Sequence, residues 1–196
     1  EQLDIENQYI MSPKDLKTIH FLNKMVDAGV RVFKIEGRAR GAEYVAETVA
    51  CYSEALTALA EGNFTDESVK KWNERLARVF NRGFWNGYYM GQRLGEWSSK
   101  YGSSATKVKR YIAKGVRYFP KLGVGEFLME AGELHPGDEI VITGTDTGAI
   151  IMKVDELRLE YDPVQTVRKG DSFSMKVPRK IRPSDRMYLW EDTKTE

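Results

Sequence analysis

A carboxylate and two guanidinium groups follow directly after an apolar run and form the strongest chemical signal in this chain. Residues 30–35 are mostly apolar, Glu36 ends the run, and Arg38 and Arg40 come next. A carboxylate can act as a general base, and a guanidinium can hold a carboxylate or phosphate through two parallel hydrogen bonds. We therefore predict Glu36 and Arg38 as catalytic residues. The alternative is that these two side chains form an ion pair that only fixes the turn.

Two parallel strands are needed to position these groups. Residues 9–11 read as a short strand ending at Ser12, and residues 30–35 read as a second strand ending at Glu36. Because the carboxyl ends of parallel strands meet at one edge of a sheet, Ser12 and Glu36 should lie close together. On this basis the predicted substrate-binding residues are Ser12, Asp15, Lys34 and Arg40.

Helices follow both predicted strands. Ser12 followed by Pro13 is a typical helix start, and Gly29 ends the apolar period that follows. The next helix repeats apolar residues from Val45 to Leu59 and stops at Gly62, and a third begins at Thr65 or Asp66. The order strand, helix, strand, helix predicts parallel β/α units over residues 1–105.

The pattern changes to short strands over residues 106–196. Turns containing Gly, Pro and Asp separate six apolar or alternating segments, at residues 111–118, 124–129, 139–143, 149–159, 172–177 and 187–190. Regular short strands of this kind predict a small closed β-barrel of six strands. The fold class is thus α/β followed by all-β.

Residues suited to nucleophilic or metal chemistry are few. Cys51 lies within a periodic helix and is expected to be a packed core thiol, and neither His20 nor His135 has a partner typical of a catalytic triad. No His-Glu-x-x-His spacing occurs. A single cysteine excludes an internal disulfide or an iron–sulfur site made by this chain alone. We expect no metal site and no cofactor in this chain.

Composition is that of an ordinary globular protein, with 41% hydrophobic and 30% charged residues. No apolar run is long enough to span a membrane and no secretory signal opens the sequence, so a cytoplasmic location without membrane contact is expected. A chain that begins at Glu1 suggests a processed or truncated piece. Exposed sheet edges in such a piece could support oligomers.

A basic, aromatic stretch points to nucleic acid as a partner. No acidic residue lies between Trp97 and Gly125, whereas lysines, arginines and tyrosines alternate there. Cations bind phosphates and aromatic rings stack on unpaired bases, although a solvated strand face would have a similar composition. The predicted nucleic-acid-binding residues are Lys107, Lys109, Arg110, Lys114, Arg117 and Lys121.

Two family resemblances extend this interpretation. The glycines and Gly-Asp turns at Gly115, Gly123, Gly125, Gly137-Asp138, Gly144 and Gly170-Asp171 resemble domain two of translation elongation factors. The strings Tyr9 to Leu16, Phe33 to Arg38, Gly83 to Tyr89 and Tyr118 to Val124 resemble the C-terminal part of peptidase family U32, the collagenase-like proteases. Lys34-Ile35-Glu36-Gly37-Arg38 is the most specific of these strings.

The U32 resemblance implies that residues 1–105 are the last β/α units of a TIM-type barrel, whose missing N-terminal part is a partner of this chain. It implies a peptidase whose catalytic portion lies largely upstream. A second implied activity is hydroxylation of a tRNA uridine, with the basic barrel binding tRNA and an iron–sulfur cluster in the full-length parent. A third interpretation is a non-catalytic interaction or lid module.

Overall fold

The computed structural model describes residues 12–98 and 102–193. The chain divides into two compact units, Glu1–Thr106 and Lys107–Glu196. The predicted strand at residues 9–11 lies outside the described residues.

The first unit contains three helices and one pair of short parallel strands in its described part. Its elements are β1 (Asp15–Leu16), a single 3-10 turn (Ile19–Phe21), α1 (Leu22–Asp27), α2 (Ala42–Ala60), α3 (Asp66–Arg78) and β2 (Phe84–Trp85). Strands β1 and β2 run parallel, with Asp15 opposite Phe84. On its other side, the segment before β1 forms an antiparallel bridge from Pro13 to Trp97.

Two predictions for this unit are wrong. The first helix does not begin after Ser12, because Asp15 and Leu16 are drawn into the strand pair, and helical geometry starts only at Ile19. Residues 30–35 form no strand within the described part of the chain. Val32 is 85% exposed there, so the apolar run that suggested a buried strand has no neighbouring strand to cover it.

Helices α2 and α3 pack through faces that the sequence predicts only in part. Thr65 caps α3 by accepting a hydrogen bond from the Ser68 amide, as the sequence predicts. Cys51 and Ala55 of α2 are fully buried in the same cluster as Trp72 and Leu76 of α3. In contrast, Val45 and Val49, which we expected in the core, are 38% and 45% exposed.

The second unit is an antiparallel β structure. Its strands are β3 (Lys107–Phe119), β4 (Val124–Met129), β5 (Glu133–Leu134), β6 (Glu139–Gly144), β7 (Gly148–Lys153), β8 (Leu157–Leu159), β9 (Asp162–Val164), β10 (Val167–Arg168), β11 (Ser172–Lys176) and β12 (Arg186–Asp192). Eight of them form one sheet in the order β7-β6-β12-β3-β4-β11-β8-β9, and β5 pairs with β10.

The predicted closed barrel of six strands is wrong in closure and in strand number. Within residues 107–193 the ladder ends at β7 on one side and β9 on the other, and these two edges are not paired. The predicted strand at residues 149–159 is divided into β7 and β8 by the segment around Val154. The first half of β3 pairs with β12 and its second half pairs with β4. The register shifts once in each pairing, opposite Met187 and Tyr188 in the first and near Gly115 in the second. One buried cluster, with Phe127 stacked on Phe173 at 5.6 Å, forms the core.

Candidate functional site

The first unit brings together two of the predicted substrate-binding residues, Asp15 and Arg40. Arg40 lies just before α2, and its Nη2 atom is 2.7 Å from Asp15 Oδ1. The other carboxylate oxygen of Asp15 accepts a hydrogen bond from the Arg82 amide at 3.1 Å. The two side chains are only 15% and 20% exposed. The pair therefore connects the start of α2 to both parallel strands, and its contacts are with protein groups.

Aromatic rings complete the surroundings of Arg40. Its guanidinium carbon lies 4.4 Å from the centre of the Phe80 ring and 5.3 Å from that of Tyr44. Such cation–π contacts favour a fixed position of the cation. Burial, and then the nearby carboxylate of Asp15, raise the pKa of the Tyr44 hydroxyl. Arg40 is thus held from several directions.

The two predicted catalytic residues lie in an exposed turn. Glu36 Oε1 accepts a hydrogen bond from the Arg38 amide at 2.9 Å, and the Arg40 amide donates to the Gly37 carbonyl. Ala39 closes the turn with φ of 59°, a conformation in which a side chain is uncommon. Glu36 therefore shapes the turn through its carboxylate, and the exposed Arg38 side chain extends from it.

The remaining predicted residues of this unit lie apart from that ion pair. The Ser12 carbonyl accepts a hydrogen bond from the Ser98 amide at 2.8 Å, and Lys34 is exposed. Because residues 30–35 form no strand, Ser12 and Glu36 do not end neighbouring parallel strands, contrary to the sequence prediction. The parallel neighbour of β1 is β2.

A polar cluster that the sequence analysis missed lies just past the carboxyl ends of β1 and β2. The Lys17 amide donates to the Trp85 carbonyl, and the Lys17 ammonium lies 4.2 Å from the centre of the Phe84 ring. Burial lowers the pKa of Lys17. Burial and the Lys17 charge lower the pKa of His20, against a hydrogen bond that the imidazole donates to Asn86 and that raises it. A neutral imidazole at such an edge can exchange protons with a ligand. The signal that could have revealed it is the Phe84-Trp85 pair between two glycines.

Cys51 and His135 are not arranged as a nucleophile and its base. Cys51 is fully buried, its Sγ atom faces the Trp72 carbonyl at 4.0 Å, and burial raises its pKa to about 12. A thiol with such a pKa is protonated at neutral pH and is a poor nucleophile. His135 lies in a turn with Nδ1 3.5 Å from Asp138 Oδ2. The prediction that Cys51 is a core thiol is confirmed.

A partly buried polar network lies beside that thiol. Arg75 donates to Glu47 Oε1 at 2.7 Å and to Glu54 Oε2 at 2.6 Å, and the Trp72 indole donates to Glu54 at 3.0 Å. Burial opposes ionisation of Glu54, but the hydrogen bonds from Arg75 and Trp72 leave its pKa below the ordinary value. Every charge in this network faces a partner on the other helix, so the network joins α2 to α3.

The predicted nucleic-acid-binding cations of the second unit differ in how far they are paired. Lys107 is 15% exposed and lies 2.9 Å from Glu139 and 3.1 Å from Asp192. Carboxylates also bind Arg110, through both oxygens of Glu191, and Lys114, through Glu130 at 2.6 Å. Lys109 lies over the Tyr188 ring, whereas Arg117 and Lys121 are exposed.

One face of the sheet combines aromatic rings with cations. Tyr111 and Tyr188 are opposite each other on β3 and β12, with ring centres 5.7 Å apart. The Tyr111 hydroxyl donates to Glu130, and burial, followed by this contact, raises its pKa to about 12. Lys109 is 4.9 Å from the centre of the Tyr188 ring. This face is half-exposed and offers stacking surfaces next to positive charge.

Neither a metal-ion cluster nor a membrane-spanning helix is found in the part of the chain that the structure describes. No group of three or more histidine, cysteine, aspartate or glutamate side chains in residues 12–98 and 102–193 is arranged to hold a metal ion. Within those same ranges, no helix combines the length and apolar character required to cross a membrane.

Comparison with known proteins identifies the family. The profile of peptidase family U32 matches residues 1–99, half of the chain. This chain belongs to peptidase family U32. A collagenase of Porphyromonas gingivalis is 62% identical over 190 residues, which cover 97% of this chain and 53% of that protein. An uncharacterized protease of Methanocaldococcus jannaschii is 30% identical, over 96% of this U32 chain and 46% of the relative.

A more distant relative has a different name. The tRNA hydroxylation protein P1 of Bacillus subtilis is 29% identical over 187 residues, which cover 91% of this chain and 43% of that protein. The chain thus spans about half the length of the curated U32 relatives it matches.

Proposed function

We propose that this chain is part of a collagenase-like peptidase of family U32. The observation that carries the proposal is the 62% identity to a collagenase over nearly the whole chain. The Cys51 thiol is buried with a raised pKa, His135 faces Asp138, and the relatives are about twice as long as this chain. The nucleophile and base of hydrolysis are therefore assigned to the part of the protein outside this chain.

The first unit contributes a substrate contact in this proposal. Asp15 and Arg40 hold the start of α2, and Glu36 fixes the turn that carries Arg38. The exposed Arg38 guanidinium can bind a carboxylate of a peptide substrate through two hydrogen bonds. Arg38 then acts in binding and orientation, while Asp15 and Arg40 position it. The exposed Val45 and Val49 are surfaces that the rest of the protein would cover.

Hydrolysis of denatured collagen by the full-length protein tests this role. Arg38→Ala should lower kcat/KM by about tenfold, since a charge-assisted hydrogen bond contributes about 1.5 kcal/mol. Lys24→Ala, another exposed cation in the same unit, is the matched control and should leave kcat/KM unchanged. Melting temperatures of both variants should equal that of the wild type. Equal kinetics for the two variants would exclude a substrate contact at Arg38.

A second candidate function is part of a tRNA-hydroxylating protein. It is favoured by the face that pairs Tyr111 with Tyr188 next to Lys109, and by the 29% identical tRNA hydroxylation protein. Stacking on such rings tolerates many base sequences. An iron–sulfur cluster does not fit the residues of this chain, whose single cysteine is buried, so any such cluster would be bound elsewhere in the full-length protein.

Retention of tRNA by the chain at low and high salt tests this second function. Tyr188→Ala should weaken binding by roughly tenfold, because base stacking on an aromatic ring contributes about 1–3 kcal/mol. Tyr161→Ala removes a more exposed tyrosine away from that face and is the control. Absence of binding, or binding that does not change with salt concentration, would exclude the role.

A further inference from the structure

A groove of about 1250 Å³ crosses the second unit next to the open sheet edge at β9. The strand register shows which residues form the floor of this groove. Ser174 of β11 lies opposite Glu126 of β4 on one side and Arg158 of β8 on the other, and Pro163 of β9 follows next to Arg158. A small serine between two longer side chains leaves a trough along β11. This volume exceeds the range of about 300–1000 Å³ that is typical of small-molecule sites.

The ends of the groove carry unusually exposed apolar side chains. Leu122, in the turn between β3 and β4, is 68% exposed. Tyr161, in the turn between β8 and β9, is 87% exposed, and its carbonyl accepts a hydrogen bond from Arg158 Nη1 at 3.0 Å. An exposed aromatic ring such as that of Tyr161 at the rim of a trough is typical of protein-binding surfaces.

The charges of the groove are mainly negative. Four carboxylates and two cations line it: Glu126, Asp155, Glu156, Glu160, Arg158 and Lys176. Arg158 is already bound to Glu156, whose pKa is lowered by that hydrogen bond. Apart from that pair, the groove is lined by one cation, Lys176, and three carboxylates, those of Glu126, Asp155 and Glu160. Such a surface repels phosphates and attracts cationic groups.

The edge strand β9 favours recognition of a bound polypeptide through side chains over pairing with its backbone. Proline has no amide hydrogen to donate, so Pro163 in β9 disfavours the addition of a further strand at this edge. We propose that the groove binds an extended polypeptide segment rich in lysine or arginine. The segment lies along β11, with its cations on Glu126 and Glu160 and its backbone over Ser172 and Ser174. At about 3.3 Å per residue, the five residues of β11 match a segment of similar length.

This binding needs no hydrolytic activity and so goes beyond the proposed function. Fluorescence anisotropy with the purified 196-residue chain tests it, using a labelled peptide that alternates lysine with alanine over about ten extended residues. A peptide with glutamate in place of lysine and an oligouridine are compared as probes. The lysine peptide should bind best, and its affinity should fall as salt rises.

Two kinds of variant separate the groove from general charge. The double change Glu126→Lys/Glu160→Lys should weaken binding of the lysine peptide by about tenfold or more, since it replaces two attractive charges with repulsive ones. Glu133→Lys/Asp146→Lys makes the same change in net charge outside the groove and is the matched control. Ser174→Trp should block the trough without any change in charge.

Three results would overturn the proposal. Equal loss of affinity for the lysine peptide in the groove double variant and in the control double variant would show that only the net charge of the chain matters. Unchanged affinity in Ser174→Trp, in a variant whose melting temperature matches that of the wild type, would place the peptide elsewhere. Tighter binding of oligouridine than of the lysine peptide, if it is lost in Ser174→Trp, would assign the groove to RNA.

Discussion

Arg40 and Asp15, which lie 25 residues apart in the sequence, form one partly buried ion pair with Nη2 2.7 Å from Oδ1. The aspartate also binds the Arg82 amide. One carboxylate therefore joins three segments of the first unit, and the guanidinium that it binds is fixed on the rings of Phe80 and Tyr44.

Loss of this ion pair should destabilise the first unit. Arg40→Ala leaves the Asp15 carboxylate partly buried without its cation, so we expect the free energy of unfolding to fall by about 2 kcal/mol. Urea unfolding followed by circular dichroism measures this change. Arg38→Ala, two residues away and exposed, is the control and should change stability by less than about 0.5 kcal/mol. Equal effects of the two substitutions would show that the ion pair contributes nothing.

Stability should decrease at alkaline pH because of Cys51. Burial raises the pKa of this thiol from 9.0 to about 12, so between these values the unfolded chain has lost a proton that the folded chain retains. The folded state then binds more protons than the unfolded state, and the free energy of unfolding falls as pH rises through this window. Urea unfolding at about pH 8 and about pH 10 should show the decrease.

Cys51→Ala is the control for this pH dependence. It removes the titrating thiol, so the decrease between the two pH values should become smaller. Tyr111, whose pKa is raised from 10.0 to about 12, contributes mainly at the upper end of the range, and Tyr111→Phe separates that contribution. An unchanged slope in Cys51→Ala would contradict the assignment.

Gly144 is required by the close approach of a buried aspartate. A Cβ atom at this position would meet the Asp185 carboxylate, which is fixed by Thr147 Oγ1 at 2.6 Å and the Arg182 amide at 2.8 Å. Gly144→Ala should therefore lower the free energy of unfolding by about 2 kcal/mol or more, through steric overlap in a packed site. Gly95→Ala, where the added carbon meets only ordinary contacts, is the control. A thermal melt that is unchanged in Gly144→Ala would contradict this packing.

Lys107 and Lys121 should behave differently in any RNA binding. Lys107 is bound to Glu139 and Asp192, so Lys107→Ala should lower the melting temperature of the second unit and leave the salt dependence of RNA binding unchanged. Lys121 is exposed, and if it binds a phosphate, Lys121→Ala should reduce the slope of log affinity against log salt by about 0.7–0.9. Equal slopes in all three proteins would remove Lys121 from the interface.

Local sequence signals predicted the elements whose ends depend on local contacts. Thr65 caps α3 through the Ser68 amide three residues later, and Gly62 ends α2 with φ of 75°. The strand at residues 124–129 agrees with the sequence because Gly125, Phe127 and Met129 alternate into the core. In each case the deciding interactions lie within a few residues or follow one simple period.

Pairing between segments that are distant in the sequence could not be predicted from such local signals. The partner of β1 is the two-residue strand β2, which has no period of its own, whereas the apolar residues 30–35 have no strand partner in the described chain. Asp15 and Arg40 were both predicted as site residues, but their contact depends on the position of β1 relative to α2. Pairing across the sheet also decides that the ladder ends at β7 and β9.

The most direct test of the collagenase-like assignment compares two activities of one purified full-length protein. The protein is incubated with denatured collagen, and separately with unmodified tRNA whose nucleosides are then analysed by mass spectrometry. The account predicts cleavage of the collagen chains, reduced by Arg38→Ala, and no hydroxylated uridine. Intact collagen together with hydroxylated uridine in the tRNA would contradict it.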